Sequence, residues 1–522
     1  MKKVLASILI IFVLCTTFVQ YNENLKLRRE PPSVKWSKEV LLAAGNITDY
    51  PQLIKYNDDY IVAYTDGNNI NIIYVDKVGK KLKEKSFSAE GDIARNIHIT
   101  TDGQDISLNW IISEKDRNVM NSILLDSGFN IKNTNKVENV VDLKQAGNNL
   151  LIIGFKDSIK LVDLKAKKST ELEAPLNSLI SGTKTGDKYV VVYLSNNNNF
   201  VYTLIKDGEV SECKEIGALK GTSRVTYYNS AVAIEGGIGY ILAEYRYQGM
   251  YGGSKIIEFA LDGSSYNVKD TADENKLMTI FNIVSFTATD EKQSGIKFMA
   301  GGYRDLGKKE TYEDILELNA SSGMINKSTP MSRTRALSGF PSGYEDTAVF
   351  CDVVDYDYSK LYMTSYREDF KMTNNNNRVN EYILAFIDSM QGILFTFVYL
   401  VILGALWIMP SICIASITSL FEYKLSDTKR KIAIILDYIT AALIKTCIIY
   451  STIYSGFRYF LPSYLTKFVG IGISLVISLA CCIYCYKKYT SSMEKNTIAV
   501  NFSHIFILDS WLTILLFIPF IK

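Results

Sequence analysis

The chain has 522 residues, a formal net charge of +2 and 48% hydrophobic residues. That length exceeds a single small core, and a near-neutral balance without a long basic run excludes nucleic acid as the main partner. The only two histidines, His98 and His504, stand far apart, which excludes a histidine-based zinc site; no metal and no cofactor is expected.

The chain opens on "MKKVLASILIIFVLCTTFVQY", in which Lys2 and Lys3 precede an apolar run from Val4 to about Val19. This is a signal peptide or a signal anchor. No small-x-small cleavage site follows, and Leu14 stands before Cys15 where a lipoprotein would need a small residue. An uncleaved anchor over residues 1–30 is the expectation.

From about residue 31 to 388 the pattern changes to strands and turns. Apolar strand starts recur near Tyr60, Ile106, Leu150, Tyr189, Tyr240, Ile296 and Leu361. Each leads through a Gly, Asn or Asp turn into a second strand, as in "YIVAYTDGNNINIIYVD" and "KYVVVYLSNNNNFVYTLIKDG". Val, Ile, Tyr and Phe fill the strands, as pleated surfaces prefer, and the turn residues tolerate positive φ or cap their own backbone. The first unit parses fully into "PQLIKYN", "YIVAYTD", "NINIIYVD" and "KLKEKSFS". The last offers only "TAVFCDVVDYD", "KLYMTSYR" and "NEYILAFID". The orphan strand "VKWSKEVLLAA" (Val34–Ala44) supplies its missing outer strand, which closes a ring and removes the open edge.

In period and strand order, residues 34–388 resemble the β-propeller superfamily. No Trp-Asp, kelch or sialidase-type motif accompanies the resemblance, so it implies an architecture and no specific family. Seven blades fit; six, eight or a two-sheet sandwich remain open. The fold class is therefore an all-β, seven-bladed propeller ectodomain with an α-helical membrane region of one N-terminal and about four C-terminal spans.

Residues 389–522 are that region. Met390–Leu420, Ile432–Tyr454, Phe468–Tyr486 and His504–Ile521 reach or approach the roughly 20 residues of a membrane span. The first is expected to cross from Gln391 to Met409 and bend at Pro410. Lys2, Lys3, Lys424, Lys429, Arg430, Lys431, Lys487, Lys488 and Lys495 all face the cytoplasm if five spans start inside. The propeller then lies outside a multi-pass cell membrane, with Arg458 and Lys467 a mild exception in an outer loop.

Three later units share a Tyr-Arg pair: Tyr245-Arg246, Tyr303-Arg304 and Tyr366-Arg367. If all three lie in turns between second and third strands, they share one face. Guanidiniums there would bind a carboxylate, sulfate or phosphate, and rings would stack on a glycan or pack on a protein. Local pairing with Asp305, Glu313, Asp314, Glu368 or Asp369 is the alternative. The acidic run with Asp352, Asp355 and Asp357 lacks the glycine of a calcium loop and reads as solvated or locally paired. Most of the eight cysteines, "CCIYCYKK" among them, read as packing residues between helices.

Ionisable groups inside a span are costly. Asp437 and Asp509 are expected at similar depth, about 8–10 Å from the inner side, with Lys445 about 12 Å farther out. They read as a cross-helix polar contact or as an ion relay, the former with Lys445 reaching toward Asp509 or the outer interface. The functional expectation is a membrane-anchored receptor, sensor or assembly factor of a bacterial envelope. It would bind an anionic, glycan or protein ligand outside and a membrane-protein partner within the bilayer. A carbohydrate-active hydrolase and a small transporter are the alternatives.

Overall fold

The computed structural model describes residues 2–521 except 90, 92–93, 115–116, 175, 196–198, 219–223, 274–275, 278–279, 288–295, 306–309, 322, 334–336, 459–460 and 493–496. Its contacts divide the chain into two units. Pro31–Asn376 is built of sheets; Met1–Glu30, which carries helix α1 (Lys2–Arg29), joins Asn377–Lys522 in a helical unit.

The first sheet has the strands Gln52–Tyr56, Asp59–Asp66, Asn69–Val75 and Lys81–Ser88 in chain order. Its second strand, "DYIVAYTD", is apolar throughout because the pleat sends alternate side chains into two different cores. Ile61 and Ala63 pack with Ile99, Leu108 and Trp110 of the following sheet. Tyr60, Val62 and Tyr64 pack with Val349, Leu361 and Met363 of the last sheet. A large apolar side chain such as Ile61 or Val62 contributes roughly 1.5–3 kcal/mol on burial, so sandwiching between neighbours explains why polar and apolar residues do not alternate. The strand ends at Asp66, whose Oδ1 accepts from Asn46 N at 2.7 Å, and turns through Gly67 at φ +57°.

Further antiparallel sheets follow. Their first strands are Arg95–Thr101, Asp142–Ala146, Leu176–Thr185, Val225–Glu235, Ile280–Thr287 and Leu337–Tyr344. Each of these touches the next in chain order, and Leu337–Tyr344 touches Gln52–Tyr56, so the series returns on itself as a ring. The last sheet is completed from the other end of the unit: Val40–Gly45 pairs antiparallel with Tyr358–Ser365, Val40 facing Met363 and Gly45 facing Ser359. The second half of the expected Val34–Ala44 strand thus takes the outer place, while Val34–Glu39 leads into it without being strand. Just before it, buried Trp36 lies edge-on to Tyr366 at 5.1 Å, and its indole N–H donates to Glu317 Oε2 at 2.7 Å. The two chain connections meet there. Ser37 N donates to Ser365 O at 3.1 Å, and Lys38 N to Asn375 Oδ1 at 2.9 Å, just beyond the short helix α2 (Glu368–Asn374).

The last sheet also corrects the reading by one strand. Its first strand is "LSGFPSGY" (Leu337–Tyr344), too rich in Gly, Ser and Pro to stand out by β-propensity. "NEYILAFID" is instead helical, part of α3 (Val379–Ile402). Glu381 caps that helix by accepting from Arg378 N at 3.1 Å.

The helical unit continues with α4 (Gly404–Leu420), α5 (Asp427–Ile449), α6 (Lys467–Ser492) and α7 (Ile498–Phe517). Among the described residues four helical stretches are long and apolar enough to cross a membrane: Val379–Ile402, Asp427–Tyr454, Lys467–Ser491 and Ile498–Phe520. The break in the first apolar region falls at Leu403, between α3 and α4, and α4 runs through Pro410. Gln391–Met409 is therefore not one straight span. α7 is the most enclosed, with 72% of its apolar window buried. α1 lies along α3 and reaches α7 through polar side chains four residues apart on one face. Gln20 Nε2 donates to Leu515 O at 2.9 Å, Asn24 Nδ2 to Ser389 Oγ at 2.9 Å, and Arg28 to both oxygens of Asp388 at 3.0 and 3.1 Å.

Candidate functional site

The ring encloses a cavity of about 120 Å³ lined by polar side chains of its first strands. Neighbouring first strands leave backbone groups that need partners, and side chains reach across to supply them. Ser342 Oγ accepts from Leu53 N at 3.3 Å and Gln145 Oε1 from Ile99 N at 3.2 Å. Ser285 Oγ accepts from Val232 N at 2.9 Å and donates to Val232 O at 2.8 Å.

Charge gathers on one side of this cavity. Asp49 accepts from the backbone N–H groups of Tyr50 and Asn96. Asn96 Nδ2 donates to Asp142 Oδ1 at 2.5 Å, and His98 Nε2 lies 3.1 Å from Asn96 Oδ1. Lys144 Nζ stands 4.0 Å from Asp142 Oδ2. Burial raises both carboxyl groups above their ordinary range, against the pull of hydrogen bonds and of Lys144. Burial, with Lys144 adding to it, pushes His98 down to about 3, so its imidazole is neutral near pH 7. These residues escaped the sequence reading because each first strand contributes only one or two of them. The available signal was weak: a polar residue, Asp49, Asn96 or Asp142, stands at or near the start of the first strand in three successive units.

The Tyr-Arg pairs do not share one end of the ring. Tyr245-Arg246 ends the second strand Ile238–Tyr247, and Tyr303-Arg304 has the same place in Ile296–Asp305 of the next sheet. The side chains of Tyr303 and Arg304 lie outside the described residues. Tyr366-Arg367 follows the third strand, Tyr358–Ser365, and so lies at the opposite end. The missed first strand of the last sheet is the cause. There Arg367 donates to both oxygens of Asp369 at 3.1 and 3.0 Å, the local pairing named as the alternative. That guanidinium holds the Asp369 carboxyl below its usual range.

Arg246 is placed differently. It is exposed, with its guanidinium 4.6 Å from the centre of the Tyr228 ring. Tyr228 is fixed from behind by donating to buried Glu244 at 2.7 Å, and Glu244 also accepts from Asn229 Nδ2 and Ile283 N, each at 2.6 Å. Tyr245 packs on Tyr227 at 5.9 Å and tightly on Gly252. The hairpin turns through Gln248 and Gly249 with φ of +51° and +82°, the positive pair of a two-residue turn. Beside it Met250 is 72% exposed, and Tyr247 and Tyr251 are exposed as well. The result is a rigid knob of Tyr, Met and Arg, the residue types that enrich protein interfaces.

In the helical unit Lys445 Nζ lies 2.7 Å from Asp509 Oδ1, 2.7 Å from Ser478 Oγ and 2.9 Å from Thr513 Oγ1. Asp509 also accepts from Ser478 at 3.1 Å, and Tyr438 Oη lies 3.5 Å away. Asp437 is held elsewhere, accepting from Thr418 Oγ1 of α4 at 2.9 Å.

A ring of four-stranded antiparallel sheets, joined through their first strands and closed by a strand from the other terminus, defines the β-propeller. This chain is a β-propeller carrying an apolar helical region. No family model and no curated protein matches it. Among solved structures it is similar to the β-propeller domain of the trilobed protease from Pyrococcus furiosus, at 15% identity, covering 60% of this chain and 95% of that one, with a TM-score of 0.38. It is similar to virginiamycin B lyase from Staphylococcus aureus at 15% identity, 63% and 98% coverage and a TM-score of 0.39. A chain of a mitotic checkpoint complex gives 14% identity, 64% and 94% coverage and a TM-score of 0.39. The assignment to the propeller class rests on the ring of strands described above.

Proposed function

We propose that this protein is a membrane-anchored binding protein of a bacterial cell envelope, a receptor, sensor or assembly factor. Its seven-bladed propeller stands outside the cytoplasm on five spans. The N-terminal span is α1, retained as an anchor. The polar stripe of Gln20, Asn24 and Arg28 supports retention, because removing α1 would leave Asp388 without its guanidinium. The placement of Lys2, Lys3 and Lys424–Lys431 at span ends supports the orientation.

The observation that carries the binding reading is the exposed knob in which Arg246 covers Tyr228 and Met250 projects into solvent. Tyr303-Arg304, at the same place in the next sheet, extends that face; Tyr366-Arg367 does not. A hydrolase finds little support in carboxylates that are already held, Asp49 by the Tyr50 and Asn96 N–H groups and Asp142 by Asn96. Transport finds little support in a Lys445–Asp509 pair whose hydrogen bonds are already filled.

The test is affinity capture from envelope extracts on the full chain in detergent. The wild type is compared with Arg246→Ala/Met250→Ala/Arg304→Ala and with Arg367→Ala. Specific capture that disappears in the triple variant and persists in Arg367→Ala is expected. The same captured set for all three proteins would sink the reading.

A further inference from the structure

Two exposed hairpins at one end of the ring carry opposite charge. The first is the Tyr/Met knob, flanked by Arg246 and by Arg224, whose Nη1 lies 3.4 Å from Tyr247 Oη. Among the described residues neither guanidinium has a carboxylate within ion-pair distance. The second joins the second and third strands of the last sheet, "VDYDY" from Val354 to Tyr358. Tyr356 is 93% exposed and Val354 is also exposed. Asp355 and Asp357 are exposed too, with no cation partner among the described residues. Asp355 accepts only from its neighbour Tyr356 N, at 2.8 Å, among the hydrogen bonds of that turn. Asp352 of the same acidic run is by contrast buried and accepts from Ser338 Oγ at 2.7 Å. Both hairpins link a second strand to a third, so they lie at the same end of the ring, two sheets apart.

We propose that this end is a self-docking face, on which the Arg224/Arg246/Met250 knob of one copy seats on the Asp355/Tyr356/Asp357 hairpin of a second. The proposal rests on reading that end as a docking surface and names its occupant. A two-fold axis lying in the plane of the face, midway between the hairpins, exchanges them when the ring is turned over. Each basic knob then meets an acidic hairpin and each acidic hairpin a basic knob. The contact is isologous and closes at two copies. Guanidinium–carboxylate hydrogen bonds would surround a centre of Met and Tyr side chains, the arrangement of an energetic core with a polar rim.

The exposed chemistry favours protein over other occupants. At the knob the Tyr228 face is covered by Arg246 and the Tyr245 ring is packed against Tyr227 and Gly252, so neither offers a sugar a free plane; exposed Tyr356 stands between two carboxylates. A polyanion would be repelled by the acidic hairpin on the same face. A second copy satisfies both charges at once.

The experiment uses the full chain in detergent micelles, with the monomer–dimer equilibrium read by analytical ultracentrifugation. Arg224→Glu/Arg246→Glu and Asp355→Lys/Asp357→Lys are each expected to weaken the dimer about tenfold or more, since like charges then face each other. Combining all four substitutions restores it, which also shows that the variants fold. A monomer at every concentration, or a dimer indifferent to both reversals, would overturn the proposal. A photo-reactive benzophenone amino acid at position 250, irradiated in cells, separates the two readings. An adduct of two chains supports self-docking. An adduct with a different protein overturns it while leaving the docking surface standing, and no adduct overturns both.

Discussion

Lys445 and Asp509 meet at 2.7 Å with neither side chain exposed, joining α5 to α7 in the interior of the helical unit. The backbone position of Lys445 is farther along its helix than that of Tyr438, yet both side chains reach the same carboxylate. Helical side chains lean toward the N-terminus, and the long lysine stem covers the remaining distance. Ser478 and Thr513 complete the shell, so the pair acts as a cross-helix clamp.

Breaking one half of the clamp leaves a buried charge. Lys445→Met or Asp509→Leu alone is expected to cost about 3–5 kcal/mol, and the double substitution much less than the sum. Thermal unfolding of the full chain in detergent reads this. Strictly additive losses would mean that the two groups do not act as a pair.

Gly470 opens α6 where the hydroxyl of Tyr454 and the ring of Phe517 press against the backbone, and a Cβ there would overlap Tyr454 Oη. Gly470→Ala is expected to destabilise by about 1–3 kcal/mol through overpacking. Tyr454→Phe, which removes the offending oxygen, should return part of the loss in the double variant. A Gly470→Ala protein with unchanged unfolding temperature would contradict this packing.

Trp36 fixes the strand that closes the ring, and Glu317 takes hydrogen bonds from both its indole and Lys35 Nζ, the latter at 2.5 Å. Trp36→Phe keeps most of the apolar contact and loses the indole donor, at about 1–3 kcal/mol for a buried acceptor left short. Trp36→Ala loses both, about 3–5 kcal/mol. Limited proteolysis should then release the segment around Val40–Gly45 before any other sheet. Cleavage that starts elsewhere would argue against closure at this strand.

His98 sets part of the acid sensitivity. Its folded value near 3 lies below the ordinary 6.5, so between those limits the unfolded chain binds the extra proton. Stability from this group is full above pH 6.5 and falls by roughly 1.4 kcal/mol per pH unit as pH drops toward 3. Asp49 and Asp142, raised by burial, act in the opposite sense and gain stability as they protonate. The difference between wild type and His98→Gln isolates the histidine. The variant's unfolding temperature should fall less steeply below pH 6.5, and parallel curves would contradict the assignment.

Much of this architecture was legible because it follows from burial on two faces. "YIVAYTD" could be read as a sandwiched strand from its unbroken apolar run, and Val34–Ala44 as a closing strand because it had no unit of its own. What escaped were features set by tertiary partners. "LSGFPSGY" becomes a strand through its neighbours despite its Gly and Pro, and "NEYILAFID" has the apolar content of a strand but begins a capped helix. That single exchange shifted the last sheet by one strand and carried Tyr366-Arg367 to the wrong end. The break at Leu403 lacks the proline that marked Pro410, and α4 passes through Pro410 instead. The cavity residues were scattered one or two per unit, where no local motif could join them.

We propose a propeller held outside the cytoplasm by a membrane unit that includes α1. Labelling of intact cells with a membrane-impermeant maleimide tests it most directly, using single cysteines at Gln104 in the propeller and at Lys429 before α5. Gln104→Cys is expected to react in intact cells, Lys429→Cys only after the membrane is opened, and the purified chain to keep the mass of residues 1–30. The reverse labelling pattern, or loss of α1, would contradict it.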